Sequence, residues 1–367
     1  MSYTLHPKAV RLEFSAQAMA HDNLSGAVFT GEWLWVAGDE SCAVERLQLL
    51  PRQGAETLRF GQSTSFRLAE LLDLPGEPDE EADLEGMALA GGYLWVVGSH
   101  GLKRKSPKQG RSHVDNARRL AKLSLDGNRR LLARLPLAED SKGRPTLQRT
   151  TPDGRQAARL GGNARLGGNA RDNQLTDALA RDPHYGPYLH LPGKDNGFDI
   201  EGLAVLGDRL LLGLRGPVLR GWAGLLELRI VADGEQLCLA PLGEDAPLLR
   251  KHFLDLEGLG IRDLHLAGDD LYLLAGPTMV LDGEIRLYRW KDARKQLASN
   301  QEAAVFWSEF ETCATLPHGR GCNRAEAFCA VPMSLARRPS WLALYDAPGK
   351  NRREGEAAVF GDLLEDI

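Results

Sequence analysis

The sequence predicts an all-β protein: a β-propeller of five blades with a helical insertion, with six blades as the alternative. Two observations support this prediction. A short motif recurs along the chain, and a pair of short apolar strands follows each copy. Repeats of roughly 50 residues made of short strands and turns are typical of four-stranded propeller blades.

The composition is that of a folded globular chain, and it limits the classes of function. Of 367 residues, 43% are hydrophobic and 26% are charged, and the formal net charge is −5. This balance argues against a nucleic-acid-binding protein, and no apolar run approaches the roughly 18 residues of a membrane helix. Five cysteines, an odd number, and an N-terminus without a signal-peptide pattern predict a cytoplasmic location.

The recurring motif is D-[LI]-E-G. It occurs at residues 83–86, 199–202 and 255–258, with degenerate copies N-L-S-G at 23–26 and R-A-E-A at 324–327. Each copy leads into an apolar strand, a turn and a second apolar strand. The third positions of the copies are spaced by 60, 116, 56 and 69 residues, so one interval is nearly doubled. The spacing predicts one blade for each copy.

Two further strands complete a blade in this interpretation. After the second motif copy, the outer strands are predicted at residues 117–127 and 128–137. Leucine also favours helices, so the prediction depends on strand length and on the Gly and Asp turns. The run at residues 9–14 alternates apolar and polar side chains. It is expected to supply the outer strand of the last blade, which closes residues 1–367 into one domain.

The doubled interval predicts an insertion at residues 140–195 with helical or irregular structure. It contains a glycine-rich tandem repeat at residues 159–171. A short helix is predicted at residues 172–182, with Asp172 or Asn173 as its N-cap. A sixth, unmarked blade within the interval is the alternative.

The repeated glutamates are the candidate metal ligands. In a propeller, the inner strand of each blade lines the central channel, so these side chains are expected near one mouth. Neighbouring carboxylates repel unless they are protonated or share a cation, and calcium prefers oxygen ligands. The predicted ligands are therefore Glu85, Glu201, Glu257 and Glu326. The competing interpretation is that these glutamates hold blades together through backbone amides and bind nothing.

Basic side chains in the neighbouring loops predict a small anionic ligand. Lys103 and Arg215 are expected to clamp the anion, and His100 is expected to act as acid or base. With calcium as electrophile and a metal-bound water as nucleophile, the hypothesis is hydrolysis of an ester or phosphoester. The alternatives are ordinary solvated loops, or a non-catalytic scaffold that docks a protein partner through the insertion.

Several segments together resemble a known bacterial family. They are residues 25–26, 83–86 with 98–101, 194–202 (K-D-N-G-F-D-I-E-G), 255–258 and 344–346. The chain resembles a propeller family known only as a domain of unknown function, family three-six-one-six. More distantly, it is similar to phytase-type esterase-like propellers and to calcium-activated nucleotidases.

The resemblance implies a propeller fold and, position by position, calcium held by Glu85, Glu201 and Glu257. Glu326 departs from the pattern because alanines flank it.

Overall fold

The chain forms an all-β, propeller-like structure of short strands. The computed structural model describes residues 3–15, 18, 22–52, 57–162 and 172–367. Within these ranges the strands form sheets of nine, eleven, four and two strands. Among the described residues, none of the helices has the length and apolar character needed to cross a membrane.

The N-terminal part contributes five strands to the nine-stranded sheet. They are β1 (Thr4–Glu13), β2 (Leu24–Thr30), β3 (Trp33–Gly38), β4 (Ala43–Leu50) and β5 (Leu58–Arg67). β2 to β5 form an antiparallel meander, and β1 lies parallel to β5. The short helix α1 (Leu68–Leu71) follows this meander.

The second meander begins the eleven-stranded sheet. Its strands are β6 (Leu84–Ala90), β7 (Tyr93–Gly98), β10 (Leu132–Glu139) and β12 (Ala158–Leu160), with β11 (Pro145–Leu147) paired to β10. Between β7 and β10 lie a two-stranded ribbon, β8 (Lys103–Arg104) and β9 (Leu123–Ser124), and the helix α2 (His113–Leu120).

The prediction of a blade strand at residues 117–127 is therefore wrong. This segment contains the end of α2, whose N-cap Ser112 accepts a hydrogen bond from the Asp115 amide. The third strand is β10, and the fourth, β12, lies within the range predicted as an insertion. The doubled interval contains, besides these strands, the additional segments 99–131, 161–162 and 172–198 among the described residues. Residues 163–171, with most of the tandem repeat, lie outside the described residues.

The predicted short helix is confirmed as α3 (Gln174–Leu179). Asn173 is its N-cap and accepts hydrogen bonds from the amides of Leu175 and Thr176. Leu175 and Leu179 are fully buried. The capping residue and the apolar side chains four positions apart therefore place the helix as the sequence indicates.

The middle of the chain completes the eleven-stranded sheet and forms the four-stranded one. The strands of the first are β13 (Asp199–Leu206), β14 (Arg209–Gly216), β15 (Trp222–Asp233), β16 (Gln236–Ala240), β17 (Leu249–Asp255) and β21 (Ala303–Val305), which comes between the last two strands of the next meander. The strands of the second are β18 (Gly260–Ala267), β19 (Asp270–Gly276), β20 (Ile285–Trp290) and β22 (Phe310–Leu316), with α4 (Ala293–Leu297) between the last two.

The C-terminal strands return to the N-terminal sheet. They are β23 (Arg324–Val331), β24 (Ser340–Asp346), β25 (Arg353–Glu354) and β26 (Ala358–Glu365). β1 pairs antiparallel with β26, so the two ends of the chain share one sheet. The first strands of the meanders, β2, β6, β13, β18 and β23, contact one another in a closed ring.

Hydrophobic side chains fill the spaces between neighbouring meanders. Trp35 and Val44 of the first meander, for example, share a buried cluster with Leu84 and Val96 of the second. Glycine allows the ring strands to approach closely, since a Cβ on Gly86 would lie 2.9 Å from the Cβ of Leu203. The motif glycines Gly86 and Gly202 therefore serve the packing of ring strands, whereas Gly258 has open space around it.

Candidate functional site

Each of the ring strands carries a β-bulge near its start, where one residue is left out of the pairing register. A bulge bends the strand and redirects the side chain of the unpaired residue. The unpaired residues are Ser25, Glu85, Glu201, Arg262 and Glu326. They form a polar ring near the start of the five ring strands, which we call the bulge ring, and we call this end of the ring strands the mouth.

The structure corrects the placement of Glu257. It lies in the exposed turn between β17 and β18, where its carboxylate pairs with Arg286. The corresponding position of the bulge ring is occupied by Arg262, five residues further along. The third D-[LI]-E-G copy therefore matches the motif in its letters but lies outside the ring strand, and Glu257 is not among the converging carboxylates.

One side of the bulge ring is neutralised by arginines, and we call it the compensated side. Glu201 pairs with Arg215 and lies 3.4 Å from the Nη1 of Arg262, which also pairs with Glu326. Arg215 additionally pairs with Asp199. Burial raises the pKa of Glu201 to about 8, although both arginines oppose the shift. Each carboxyl group on this side therefore has at least one arginine partner, as buried ionisable groups require.

The other side is acidic, and we call it the uncompensated side. Carboxylate oxygens of Asp39, Asp83 and Glu85 lie within 4.8 Å of one another. Asp83 pairs with Arg129. Among the described residues, no ion pair or hydrogen bond is found for the carboxylate of Glu85, which is only 6% exposed. The same holds for Asp39, whose Oδ1 is buried without a hydrogen-bond partner.

The electrostatics of the uncompensated side follow from this crowding. Burial, and then the charge of Asp83, raise the pKa of Asp39 to about 8. Burial, and then the charges of Glu201 and Asp83, raise the pKa of Glu85 well above its usual value. Carboxyl groups in this situation hold protons or share a cation.

A cavity of about 420 Å³ opens above the uncompensated side. Asp39, Asp83 and Glu85 line it together with Lys194. Among the described residues, the Lys194 ammonium forms neither an ion pair nor a hydrogen bond. It also lines the adjoining space that reaches Glu326. The cavity is thus lined both by an acidic cluster and by a lysine, Lys194, that has no ion pair among the described residues.

Lys103 and Arg215, the residues predicted to bind the anion, form ion pairs with other side chains. Lys103 lines the cavity, but its ammonium lies 2.7 Å from a carboxylate oxygen of Glu81. Arg215 lines it too, while pairing with Asp199 and Glu201. Both line the cavity, as the sequence indicates, but Lys194, unlike these two, has no ion pair among the described residues.

His100 has a different position from the one expected of a catalytic acid or base. It is fully buried, and its Nδ1 donates to the Gly98 carbonyl at 2.8 Å. Its Nε2 accepts from the Asn173 side chain at 2.8 Å, and that amide also donates to the Arg130 carbonyl. Burial lowers the pKa of His100 to about 4. This neutral imidazole joins the β7–β8 loop to the N-cap of α3.

A regular spacing would have identified the bulge ring from the sequence. Ser25, Glu85, Glu201 and Arg262 each precede by six residues a turn glycine with positive φ, namely Gly31, Gly91, Gly207 and Gly268. Glu326 precedes Pro332 by the same distance. Counting back from the hairpin turn selects Arg262, whereas matching motif letters selects Glu257.

The chain belongs to the family described as "Protein of unknown function (DUF3616)", whose model matches residues 23–362. This confirms the family resemblance of the repeated segments. None of the curated proteins matches the sequence.

Solved structures similar to this chain are distant. One is the PQQ-bound form of an aldose sugar dehydrogenase from Streptomyces coelicolor, with 13% identity, 99% of each chain covered and a TM-score of 0.37. Another is a mutant of the GH43 protein BlXynB from Bacillus licheniformis, with 11% identity, 93% of this chain and 50% of that chain covered and a TM-score of 0.37. These scores carry no argument about ligand or reaction.

Proposed function

Because the family's description assigns no activity, we propose a function from the site itself: the mouth binds one divalent cation together with a small anionic ligand. The cation is held by Asp39, Asp83 and Glu85, and calcium is the ion to test first because all three ligands are carboxylates. The ligand's anionic group contacts the cation and Lys194. The observation that carries the proposal is the buried, unpartnered carboxylate of Glu85 beside two other acids.

The cation proposal differs from the ligand set expected from the sequence. Glu201 and Glu326 are neutralised by arginines, and Glu257 lies elsewhere. Of the predicted ligands, Glu85 alone keeps a carboxylate available. A bound cation would replace the protons that the raised pKa values of Asp39 and Glu85 imply.

Thermal melting of chelator-stripped protein tests the cation site. Calcium is expected to raise the melting temperature, since a ligand at a hundredfold excess over its dissociation constant adds about 2.7 kcal/mol. Glu85→Gln should abolish this rise. Glu257→Gln, on the exposed glutamate outside the ring, is the matched control and should retain it. A rise of equal size in Glu85→Gln would overturn the assignment.

Inorganic phosphate in the presence of calcium tests the anion site. Lys194→Met should weaken phosphate binding measured by calorimetry, while Lys103→Met, on the lysine held by Glu81, should change it little. If neither calcium nor phosphate binds, the alternative proposal of a non-catalytic protein scaffold is favoured.

Hydrolysis is a further step of the same proposal. A cation at this position can polarise a phosphoryl or carbonyl oxygen and lower the pKa of a bound water. Calcium-dependent turnover of p-nitrophenyl phosphate or p-nitrophenyl acetate, lost in Glu85→Gln, would support it. Cation binding without turnover of either ester would restrict the function to binding.

The proposal also covers the number of blades and the number of domains. We take β2, β6, β13, β18 and β23 as the inner strands of five blades in a single domain, supported by their closed ring of contacts and by the β1–β26 pairing. A map from diffraction data with a sixth meander would contradict the count.

The unpaired state of all five cysteines supports a cytoplasmic location.

A further inference from the structure

The lining of the mouth cavity contains exposed apolar side chains as well as charged ones; we call the apolar part the apolar rim. Met279, Val280 and Leu281 belong to it, and their exposed fractions are 43%, 61% and 58%. Leu102 and Leu120, from another part of the chain, also line the cavity. Contiguous exposed apolar surface is uncommon on soluble proteins and marks ligand or partner sites.

The apolar rim is held in place at several points. The carbonyl of Pro277, at the start of the β19–β20 loop, accepts a hydrogen bond from Nη2 of Arg262 at 2.8 Å. The side chain of Asp282, near its end, accepts from the Gly321 amide at 2.8 Å. Met279 to Leu281 are thus fixed between two anchors, one of which is the bulge-ring arginine.

The segment that carries Leu102 is also connected to the residues around Lys194, by a hydrogen bond and an ion pair. The Leu102 carbonyl accepts a hydrogen bond from the Gly193 amide at 3.1 Å, next to Lys194. Arg104 pairs with Asp195 at 2.6 Å on the other side of that lysine. The segment that carries Leu102 is therefore positioned relative to Lys194 by contacts to the residues on either side of that lysine.

The combination restricts the chemistry of the ligand. A small, fully polar anion would satisfy the charged side chains but leave the apolar rim in water. A purely apolar molecule would bury the carboxylates and Lys194 without partners, which is costly. Pockets that bind small molecules pair apolar walls with a few placed polar groups.

Building on the proposed function, we propose that the ligand is an amphiphilic anion, with an anionic head group joined to an apolar chain or ring. The head group contacts the cation and Lys194. The apolar part lies between Met279–Leu281 and the side chains of Leu102 and Leu120. The proposal adds the substrate class to the site, and it names the β19–β20 loop as the determinant of selectivity.

Calorimetry with calcium present and two matched probes tests this inference. Methyl phosphate and hexyl phosphate carry the same head group and differ only in the alkyl chain. The hexyl compound is used below its micelle-forming concentration. The natural protein should bind hexyl phosphate at least about tenfold more tightly, since each buried methylene adds to affinity.

The double variant Val280→Ser with Leu281→Ser should bring the two affinities close together while leaving methyl phosphate binding unchanged. Both side chains are more than half exposed, so folding is not at risk. Met333→Ser is the matched control, because Met333 is 60% exposed and does not line the cavity. The control should keep the tenfold preference.

The outcomes separate the two proposals. Equal affinity for both phosphates in the natural protein would overturn the amphiphilic ligand and leave the cation and anion site standing. A preference that persists in the double variant would also overturn it. If neither phosphate binds and calcium does not raise the melting temperature, the proposed function fails, and this inference fails with it.

Discussion

The two sides of the bulge ring differ in how their buried carboxyl groups are neutralised. On the compensated side, Arg262 lies between Glu201 and Glu326, and Arg215 adds a second partner for Glu201. On the uncompensated side, Glu85 lies beside Asp39 and Asp83. Glutamates at equivalent strand positions thus have opposite electrostatic environments, and the difference lies in their neighbours.

The order of residues around the ring explains this difference. Glu201 and Glu326 both flank Arg262, whereas Glu85 has Ser25 on one side and Glu201 on the other. The Ser25 hydroxyl donates to the Leu84 carbonyl, so it fastens two ring strands and brings no charge. The electrostatic environment of a repeated residue therefore depends on its neighbours on the adjacent ring strands.

Breaking the compensated side should have the largest effect on stability. Arg262→Met removes the cation shared by Glu201 and Glu326 and leaves buried carboxylates without it. We expect the free energy of unfolding to fall by about 3–5 kcal/mol, the typical result of removing one partner from a buried ion pair. Urea titration of the variant and the natural protein measures the loss.

Arg286→Met supplies the comparison for that variant. Arg286 pairs with Glu257, whose side chain is 55% exposed, and exposed pairs contribute up to about 1 kcal/mol. Losses of similar size in the two variants would show that the Arg262 pairs are no more important than a surface pair.

The pH dependence of the free energy of unfolding should reveal the raised pKa of Asp39 on the uncompensated side. Without added cation, native Asp39, whose pKa is about 8, holds a proton that the unfolded chain releases well below neutrality. This contribution to the free energy of unfolding therefore falls as pH rises from about 5 to 8. In Asp39→Asn the loss over this interval should be smaller by about 3 kcal/mol.

Urea titrations at both pH values, with chelator, measure this slope. Added calcium should flatten the slope in the natural protein, because the cation takes the place of the proton. Identical slopes in the natural protein and in Asp39→Asn would contradict the raised pKa.

Local patterns predicted the parts of the fold that depend on local interactions. The capping by Asn173 with apolar Leu175 and Leu179 was sufficient for α3. The outer strands of the second meander were misplaced because residues 117–127 and 128–137 both contain several leucines, and only the pairing of β10 with β7 identifies the strand. Strand preference depends on such non-local neighbours more than helix preference does.

The candidate site was predicted in location but not in composition. Glu85, Lys103 and Arg215 do line the mouth cavity. Arg262 was missed because it shares no motif letter with the glutamates, although its distance to a turn glycine is the same. Lys194 belongs to the K-D-N-G-F-D-I-E-G segment, but only the folded structure shows that its ammonium has no ion pair among the described residues.

The same substitution should act with opposite sign on the two sides. Glu201→Gln deprives two buried arginines of a carboxyl partner and should destabilise the protein by roughly 2 kcal/mol. Glu85→Gln removes a buried carboxyl group that must take up a proton or remain charged without an ion pair, so with chelator it should stabilise the protein by about 1 kcal/mol. Losses in both variants would contradict the division of the ring into two sides.

The smallest effect is expected outside the ring. Glu257→Gln removes an exposed partner of Arg286 and should change the free energy of unfolding by no more than about 0.5 kcal/mol, with or without calcium. Although Glu257 occupies the same motif position as Glu85 and Glu201, its side chain is more than half exposed and it lies five residues before the bulge. A calcium response lost in Glu257→Gln but kept in Glu85→Gln would show that motif letters, rather than strand register, identify the functional glutamates.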